Sequence, residues 1–414
     1  MALIAAWLIG VAVAAAGAGG GEKGETTAAA AAGTMKFEHQ YIDTDLPPTS
    51  NYGHTALVDI DRDGDPDLVL GRNGKTGLLY WYEYEKPGKW TRHVLGRDSA
   101  SEVGAAAMDV DGDGWPDLVT SGAWYRNSGK PRQEEFTRHV FDPGGGAAHD
   151  VLAADLDGDG KLDVLTYSSG KGLCWYKVPA DPSQAWPKHA IGPGVHGAIA
   201  PAAVGDIAGN GHADIVAADT WFENKDGKGT AWVAHKNIPF GRAGPFGVCV
   251  RCALVDIDGD GRKELVMADC DIVGSKVAIL KNADGKGTSW SRQDMPMSFT
   301  YGSLHSLAVA DFNNDGRLDI LSNEQEELLP PGRENPRWVV WENLGGGRFA
   351  ERLILDTRLG GHELVAGDVD GDGRIDILSK AWGTRPWNAL GGKMHVDFLR
   401  NVGPLPPKKD KQAP

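Results

Sequence analysis

One pattern recurs seven times along the 414 residues: an apolar strand, an acidic run of the form D-x-D-x-D-G-x-x-D, and a second apolar strand rich in β-branched residues. The runs begin at Asp59, Asp109, Asp155, Asp206, Asp256, Asp311 and Asp368, a spacing of 46 to 57 residues. That spacing is the size of a four-stranded propeller blade, so seven runs predict an all-β, seven-bladed β-propeller.

Two further strands complete each repeat. Aromatic runs such as Tyr80-Trp81-Tyr82, Trp124-Tyr125, Trp175-Tyr176 and Trp221-Phe222 read as third strands. An aromatic followed three residues later by His, as in Trp90/His93, Phe136/His139, Trp186/His189 and Trp232/His235, reads as the outer fourth strand. After the last acidic run only one strand, Met394 to Asn401, remains. The segment Phe37 to Ile42 carries the fourth-strand pattern at the other end, which predicts ring closure by the N-terminal strand and leaves no open edge.

The acidic runs carry chemistry of their own. Calcium takes six to eight oxygens, and alternate carboxylates at run positions 1, 3 and 5, a carbonyl at 7 and an acid at 9 can converge on one ion, with Gly at 6 allowing the reversal. Complete sets are Asp59/Asp61/Asp63/Asp67, Asp109/Asp111/Asp113/Asp117, Asp155/Asp157/Asp159/Asp163 and Asp368/Asp370/Asp372/Asp376. Asp256/Asp258/Asp260/Glu264 and Asp311/Asn313/Asp315/Asp319 are close variants, expected to bind in the same way. The fourth run, with Asp206, Ala208, Asn210 and Asp214, supplies less charge and is expected to be weak or empty. Asx turns alone would give similar loops, but four like charges in nine residues repel unless a cation neutralises them.

These runs resemble the FG-GAP/VCBS repeat proteins over roughly residues 37 to 402. The resemblance implies a propeller with calcium between the first and second strands of each blade, as in integrin α-subunit heads. The W-x-x-H strands, with His near inner-strand starts, also resemble the propeller domain of aldos-2-ulose dehydratase, whose cupin domains have no counterpart here.

A net charge of -15 argues against nucleic acid, because phosphate binding needs concentrated Lys and Arg. Residues 1–21 read as an apolar signal peptide without a basic start, so the protein is expected to be secreted or periplasmic, with no stable membrane insertion after cleavage. Residues 22–35 form an Ala/Gly/Thr linker, 36–402 the propeller and 403–414 a tail expected to be disordered. Among four cysteines, Cys249, Cys252 and Cys270 lie close in sequence and are expected to be structural.

His54, His149, His305 and His362 each precede an acidic run by five or six residues, which predicts a ring of imidazoles at the mouth opposite the acidic loops. With Tyr52, Tyr301 and Arg251 they are the candidate catalytic set, as base, acid and enolate stabiliser in a carbohydrate-directed elimination, the work of a carbon-oxygen lyase or dehydratase. Glu102, Asp150, Arg242, Glu363, Trp382 and Arg385 are candidate substrate contacts, and the histidines could hold a transition metal such as zinc. A structural reading of each His remains open, as does a non-catalytic propeller binding a glycan or a protein partner. No P-loop, nucleophile elbow or dinucleotide fingerprint occurs.

Overall fold

The computed structural model describes residues 35–47, 51–72, 77–99 and 103–405, and there every acidic run is the turn joining the first two strands of a sheet. Seven such sheets stand in a ring. Blade one is Tyr52–Val58, Asp67–Arg72, Gly77–Lys86 and Lys89–Ser99, and blade two is Ala106–Met108, Asp117–Val119, Ala123–Arg126 and Thr137–Val140. Blade three is Asp150–Ala154, Asp163–Ser168, Gly172–Tyr176 and Lys188–Gly192; blade four is Val204–Gly205, Asp214–Ala217, Thr220–Asn224 and Trp232–His235. Blade five is Val250–Val255, Glu264–Asp269, Val277–Asn282 and Trp290–Asp294; blade six is Ala308–Ala310, Asp319–Asn323, Arg337–Asn343 and Phe349–Asp356.

Blade seven has only His362–Gly367, Asp376–Lys380 and Val396–Asn401 from its own stretch of chain. The N-terminal strand Phe37–Asp43 supplies its fourth, pairing Phe37 with Asn401 and Tyr41 with Asp397. The ring is therefore closed by the first strand pairing with the last, as the strand count required. Two features have no counterpart in the repeat. Pro201–Ala202 adds a short parallel strand to the inner edge of blade five, and Ala243–Gly244 with Gly247–Val248 forms a separate hairpin. Residues 1–34, the end of the tail and Glu102 lie outside the described residues. Among the described residues no helix is long and apolar enough to cross a membrane.

The hydrophobic core lies between blades. Trp81 of blade one packs with Tyr125 of blade two, and Trp341 of blade six with Val266 and Ile279 of blade five. Outer-strand histidines stack on third-strand tryptophans, with ring centroids 4.3 Å apart for Trp81/His93 and 4.2 Å for Trp221/His235. Inner strands approach one another so closely that a Cβ at Gly104 of blade two would lie 2.3 Å from the Val151 nitrogen of blade three.

A polar latch adds to the apolar packing. The asparagine closing the third strand donates its side-chain amide to a carbonyl in the acidic loop of another blade. Asn127 reaches Ile60 O (3.0 Å), Asn224 reaches Leu156 O (2.9 Å), Asn282 reaches Ile207 O (2.8 Å), and Asn401 reaches Phe312 O (2.9 Å). Each joins a blade to the one before it in sequence. Asn224 is buried, so truncation leaves the Leu156 carbonyl without this partner. We expect Asn224→Ala to cost about 1–3 kcal/mol, read as a lower urea midpoint with unchanged slope; an unchanged midpoint would show the latch to be idle.

Candidate functional site

Each acidic loop is organised by its own backbone. The position-1 carboxylate accepts the amides of positions 5 and 6, as Asp59 does from Asp63 N and Gly64 N, both at 3.1 Å. Position 6 is a glycine at positive φ in every loop, from +83° at Gly160 and Gly211 to +107° at Gly64, where a side chain would be strained. The position-9 acid is buried and accepts the position-2 amide. In blades one, two, four, six and seven its other oxygen accepts a backbone amide near the end of the third strand, whereas Asp163 Oδ1 of blade three has no hydrogen-bond partner. Asp117 takes Val110 N (3.0 Å) and Asn127 N (2.7 Å), and Asp376 takes Val369 N (3.1 Å) and Asn401 N (2.7 Å).

Donor oxygens of Asp59, Asp61 and Asp67 lie within 4.8 Å of one another, as do those of Asp109, Asp111 and Asp117 and those of Asp155, Asp157 and Asp163. An all-oxygen set of this kind fits a hard divalent cation. Burial, then the charge of Asp61, pushes the Asp67 carboxyl up to about 9. Burial pushes Asp117 and Asp319 up to about 8, with neighbouring carboxylates adding to it. Without a cation, these carboxyls are pushed toward the neutral acid.

The third strand brings a charged residue to each loop, a feature the sequence reading did not isolate. It is Glu83, Arg126, Lys177, Glu223, Lys281, Glu342 and Arg400 in blades one to seven. Lys177 lies 2.7 Å from Asp157 and 2.6 Å from Asp159, Arg126 pairs with Asp111 and Asp113, and Arg400 with Asp370 and Asp372. In blade one Arg132, from a loop of blade two, reaches Asp61, Asp63 and Glu83 instead. A divalent ion entering these loops displaces or shares carboxylates with a tethered cation.

In the two variant loops, as in blades two, three and seven, the middle residues already have partners within the protein. In blade five, Asp258 is taken by the Lys281 ammonium through Oδ2, and its Oδ1 accepts Asp260 N at 3.3 Å. In blade six, Asn313 turns its amide nitrogen to Asp315 Oδ2 (3.0 Å) and Glu342 Oε1 (3.2 Å), while its Oδ1 accepts Asp315 N at 3.1 Å. Asp315 is itself paired with the Arg317 guanidinium, and its Oδ1 accepts Arg317 N at 3.0 Å. The reason is charge: Lys281 and Arg317 neutralise carboxylates that the spacing alone assigned to an ion. To use Asp258, Asn313 and Asp315, an ion must displace both cations and redirect the Asn313 side chain.

The second constellation lies at the inner-strand starts. His149 Nδ1 is 2.8 Å from Asp150 Oδ1, and Asp150 Oδ2 accepts the amides of Ala198 (2.8 Å) and Ile199 (2.9 Å). Arg251 spans the axis, donating to Asp150 (3.2 Å), Glu363 (2.6 Å), the His305 carbonyl (3.1 Å) and His305 Nδ1 (3.2 Å). His305 stacks on His362 (3.9 Å), His362 on Trp382 (4.5 Å), and His196 lies 4.2 Å from His149. Burial drives His305 and His362 well below the usual imidazole range. Burial acts the same way on His149, but Asp150 outweighs it and raises His149.

Expectations for this second group need correction. The imidazoles of His149, His305 and His362 do not line an open mouth, being only 1–3% exposed. A cavity of about 1080 Å³ has Asp59, Asp109 and Asp111 of the acidic loops in its lining together with Arg251, Ser306 and Glu363 from the inner-strand starts. His54 is apart from the cluster, bonded to Ser99 Oγ at 2.7 Å and packed on Gly71. Five residues separate it from Asp59, the offset of Glu363 from Asp368; His149, His305 and His362 lie six before their runs. Tyr52 donates to Pro47 O (3.0 Å) and Tyr301 to Glu351 of an outer strand, so neither hydroxyl joins the cluster. Arg242 is held by Asp269 (3.1 Å) and Arg385 by Glu327, both away from the axis.

The fold and its sevenfold acidic turn define a seven-bladed β-propeller with one carboxylate-rich loop per blade. The FG-GAP-like repeat model matches residues 59–120, 120–166, 256–322 and 328–379, more than half of the sequence, and the chain belongs to that family. No curated protein matches it. Among solved structures, a chain from "Crystal structure of BBS1N in complex with ARL6DN, soaked with lead" superposes with TM-score 0.51 at 8% identity, covering 90% of this chain and 98% of that one. A mercury-soaked crystal of the same complex gives TM-score 0.49 at 10% identity, with 86% and 95% covered. The first of these likenesses shows the fold alone. The resemblance to the aldos-2-ulose dehydratase propeller is not shown by these matches.

The raised loop carboxyls set a pH dependence. A carboxyl whose folded pKa lies above its unfolded value favours the fold at low pH, and that contribution is lost as pH climbs through the folded value. The ion-free protein therefore loses stability between about pH 4 and pH 9. A cation that needs ionised carboxylates would stabilise most at the upper end. Excess chelator should lower the melting temperature by roughly 5 °C or more at pH 8 and by much less at pH 5; equal shifts at both would contradict this.

Proposed function

We propose that this FG-GAP propeller is an exported, calcium-loaded binding module that takes a polar, carbohydrate-sized ligand into its acid-lined cavity. The observation that carries this reading is that Asp59, Asp109 and Asp111 belong both to the cation-type loops and to the cavity wall. Asp59, Asp109 and Asp111 would hold calcium at that wall, where it would supply a hard cation for a ligand's oxygen atoms. At the inner-strand starts, Arg251 and Glu363 present a guanidinium and a carboxylate side by side, suited to the hydroxyls or carboxylate of a sugar. The likeness to a propeller crystallised with a protein partner makes a protein the alternative occupant of the same face.

One observation favours a lyase as the second reading. His149 holds Asp150 through Nδ1, and its Nε2 has no partner, which is how an oriented general base is built. In that reading Arg251 stabilises the developing enolate and His149 removes the proton next to a carbonyl or carboxylate.

Calorimetric titration with uronic-acid oligosaccharides, run in calcium and then in chelator, tests the two readings together. We expect binding in calcium that falls at least tenfold in chelator and in Glu363→Gln. Steady growth of an ultraviolet-absorbing unsaturated product, abolished in His149→Asn, would establish the lyase. Binding indifferent to both chelator and Glu363→Gln would overturn the cavity as the site.

A further inference from the structure

Beside the axis, on blade five, lies a group of soft ligands that neither the loops nor the cavity uses. Val250 pairs with Asp269 across the two inner strands, so the flanking Cys249 and Cys270 stand directly opposite each other, and the Cys270 amide donates to the Cys249 carbonyl at 3.1 Å. Both cysteines are free and 1% exposed. Asp271 follows at φ +58°, a conformation that costs free energy for any residue bearing a Cβ. Donor atoms of Cys270, Asp271 and His305 lie within 4.8 Å of one another. The Cys249 thiol stands beside them, donating to the Phe246 carbonyl at 3.7 Å and pushed up by burial and then by the nearby charge of Asp271.

The carboxylate of Asp271 is the anomaly. It is 5% exposed, its Oδ2 has no hydrogen-bond partner, and Gln325 Nε2 and His305 Nε2 stand off its Oδ1 at 3.5 Å each. Burying a carboxylate without a close cation is unfavourable, and the Asp271 backbone at positive φ holds it there. Arg251 donates to His305 Nδ1, which leaves the ring proton on Nε2, facing Asp271. His305 thus steers the carboxylate rather than competing for an ion, the usual part of an outer-sphere histidine.

We propose that Cys249, Cys270 and Asp271 form a zinc site, with both sulfurs and Asp271 Oδ2 as protein ligands, a water in the fourth position, and His305 positioning the carboxylate. Two thiolates, a carboxylate and an open position match the three-ligand tetrahedral zinc pattern. Binding expels two thiol protons and leaves a net charge of -1 on the assembly, adjacent to Arg251. The site is independent of the calcium loops, and it differs from a site ligated by the central histidines because its principal donors are sulfur.

The full chain, reduced and dialysed in calcium-containing buffer, would be analysed for zinc and then loaded with cobalt(II). We expect one zinc per chain and a thiolate-to-cobalt charge-transfer band, both lost in Cys270→Ser and Asp271→Asn. Cys252→Ser should keep both, because Cys252 lies in the same strand outside the group. His305→Gln should weaken zinc about ten- to a hundredfold. No zinc and no band in the reduced wild type, or a Cys249–Cys270 disulfide in the native protein, would overturn the site. Should a variant fail to fold, the wild-type cobalt spectrum decides alone.

Discussion

The position-9 carboxylate of each acidic loop is the contact on which the rest of this ring depends. Asp117 and Asp376 each tie the second residue of their loop to the end of the third strand. The asparagine at that strand end then reaches the loop of the preceding blade. Loop, blade and neighbouring blade are thus coupled through one buried acid. Its burial is also what makes it costly: the same desolvation that fixes Asp67 in place pushes its carboxyl toward the neutral form until a cation arrives.

The blades differ in whether their third strand offsets that cost. In blades two, three, five and seven the third strand places Arg126, Lys177, Lys281 or Arg400 on the carboxylates. In blades one, four and six the same position is Glu83, Glu223 or Glu342, which adds negative charge. A tethered side chain in the partly exposed part of a loop is a weak substitute for an ion, because exposed pairs are screened by water. In blades one and six the glutamate leaves the loop with the greater demand for an external cation, eased by Arg132 in blade one and by Arg317 on Asp315 in blade six, whereas Glu223 of blade four is taken by Lys225.

How much of this was legible depended on which residues carry a periodic signal. The loops were legible because the carboxylates and Gly64-type glycines recur at fixed offsets, and ring closure because blade seven was visibly one strand short. The partners of Asp258 and Asn313 were not, because Lys281 and Glu342 stand on another strand and no spacing ties them to the run, and that of Asp315 was not because Arg317 occupies a variable position of the run itself. The central cluster was legible only in part. Arg251, Asp150 and Glu363 share one offset from their loops, and His149, His305 and His362 another, while His54 falls in the first class by a single residue. In a strand that difference changes the face, and bulges at Gly53/Ala56 and His362/Val365 shift it again. Tyr52 and Tyr301 were drawn into the site by proximity in sequence, whereas their hydroxyls satisfy Pro47 and Glu351. Asp271 was missed because its signal is a buried carboxylate oxygen, Oδ2, without a hydrogen-bond partner, which only three dimensions reveal.

Divalent ions as the elements that fix the blade turns are the heart of this account, and counting them is the most direct check. Equilibrium dialysis of the intact chain against calcium at pH 8 should find one ion for each loop with a full carboxylate set, and none in blade four, where Ala208 and Asn210 replace two acids. A chain that takes up no calcium, yet melts at the same temperature with and without it, would show that Arg126, Lys177 and their counterparts neutralise the loops unaided, and the account would fail.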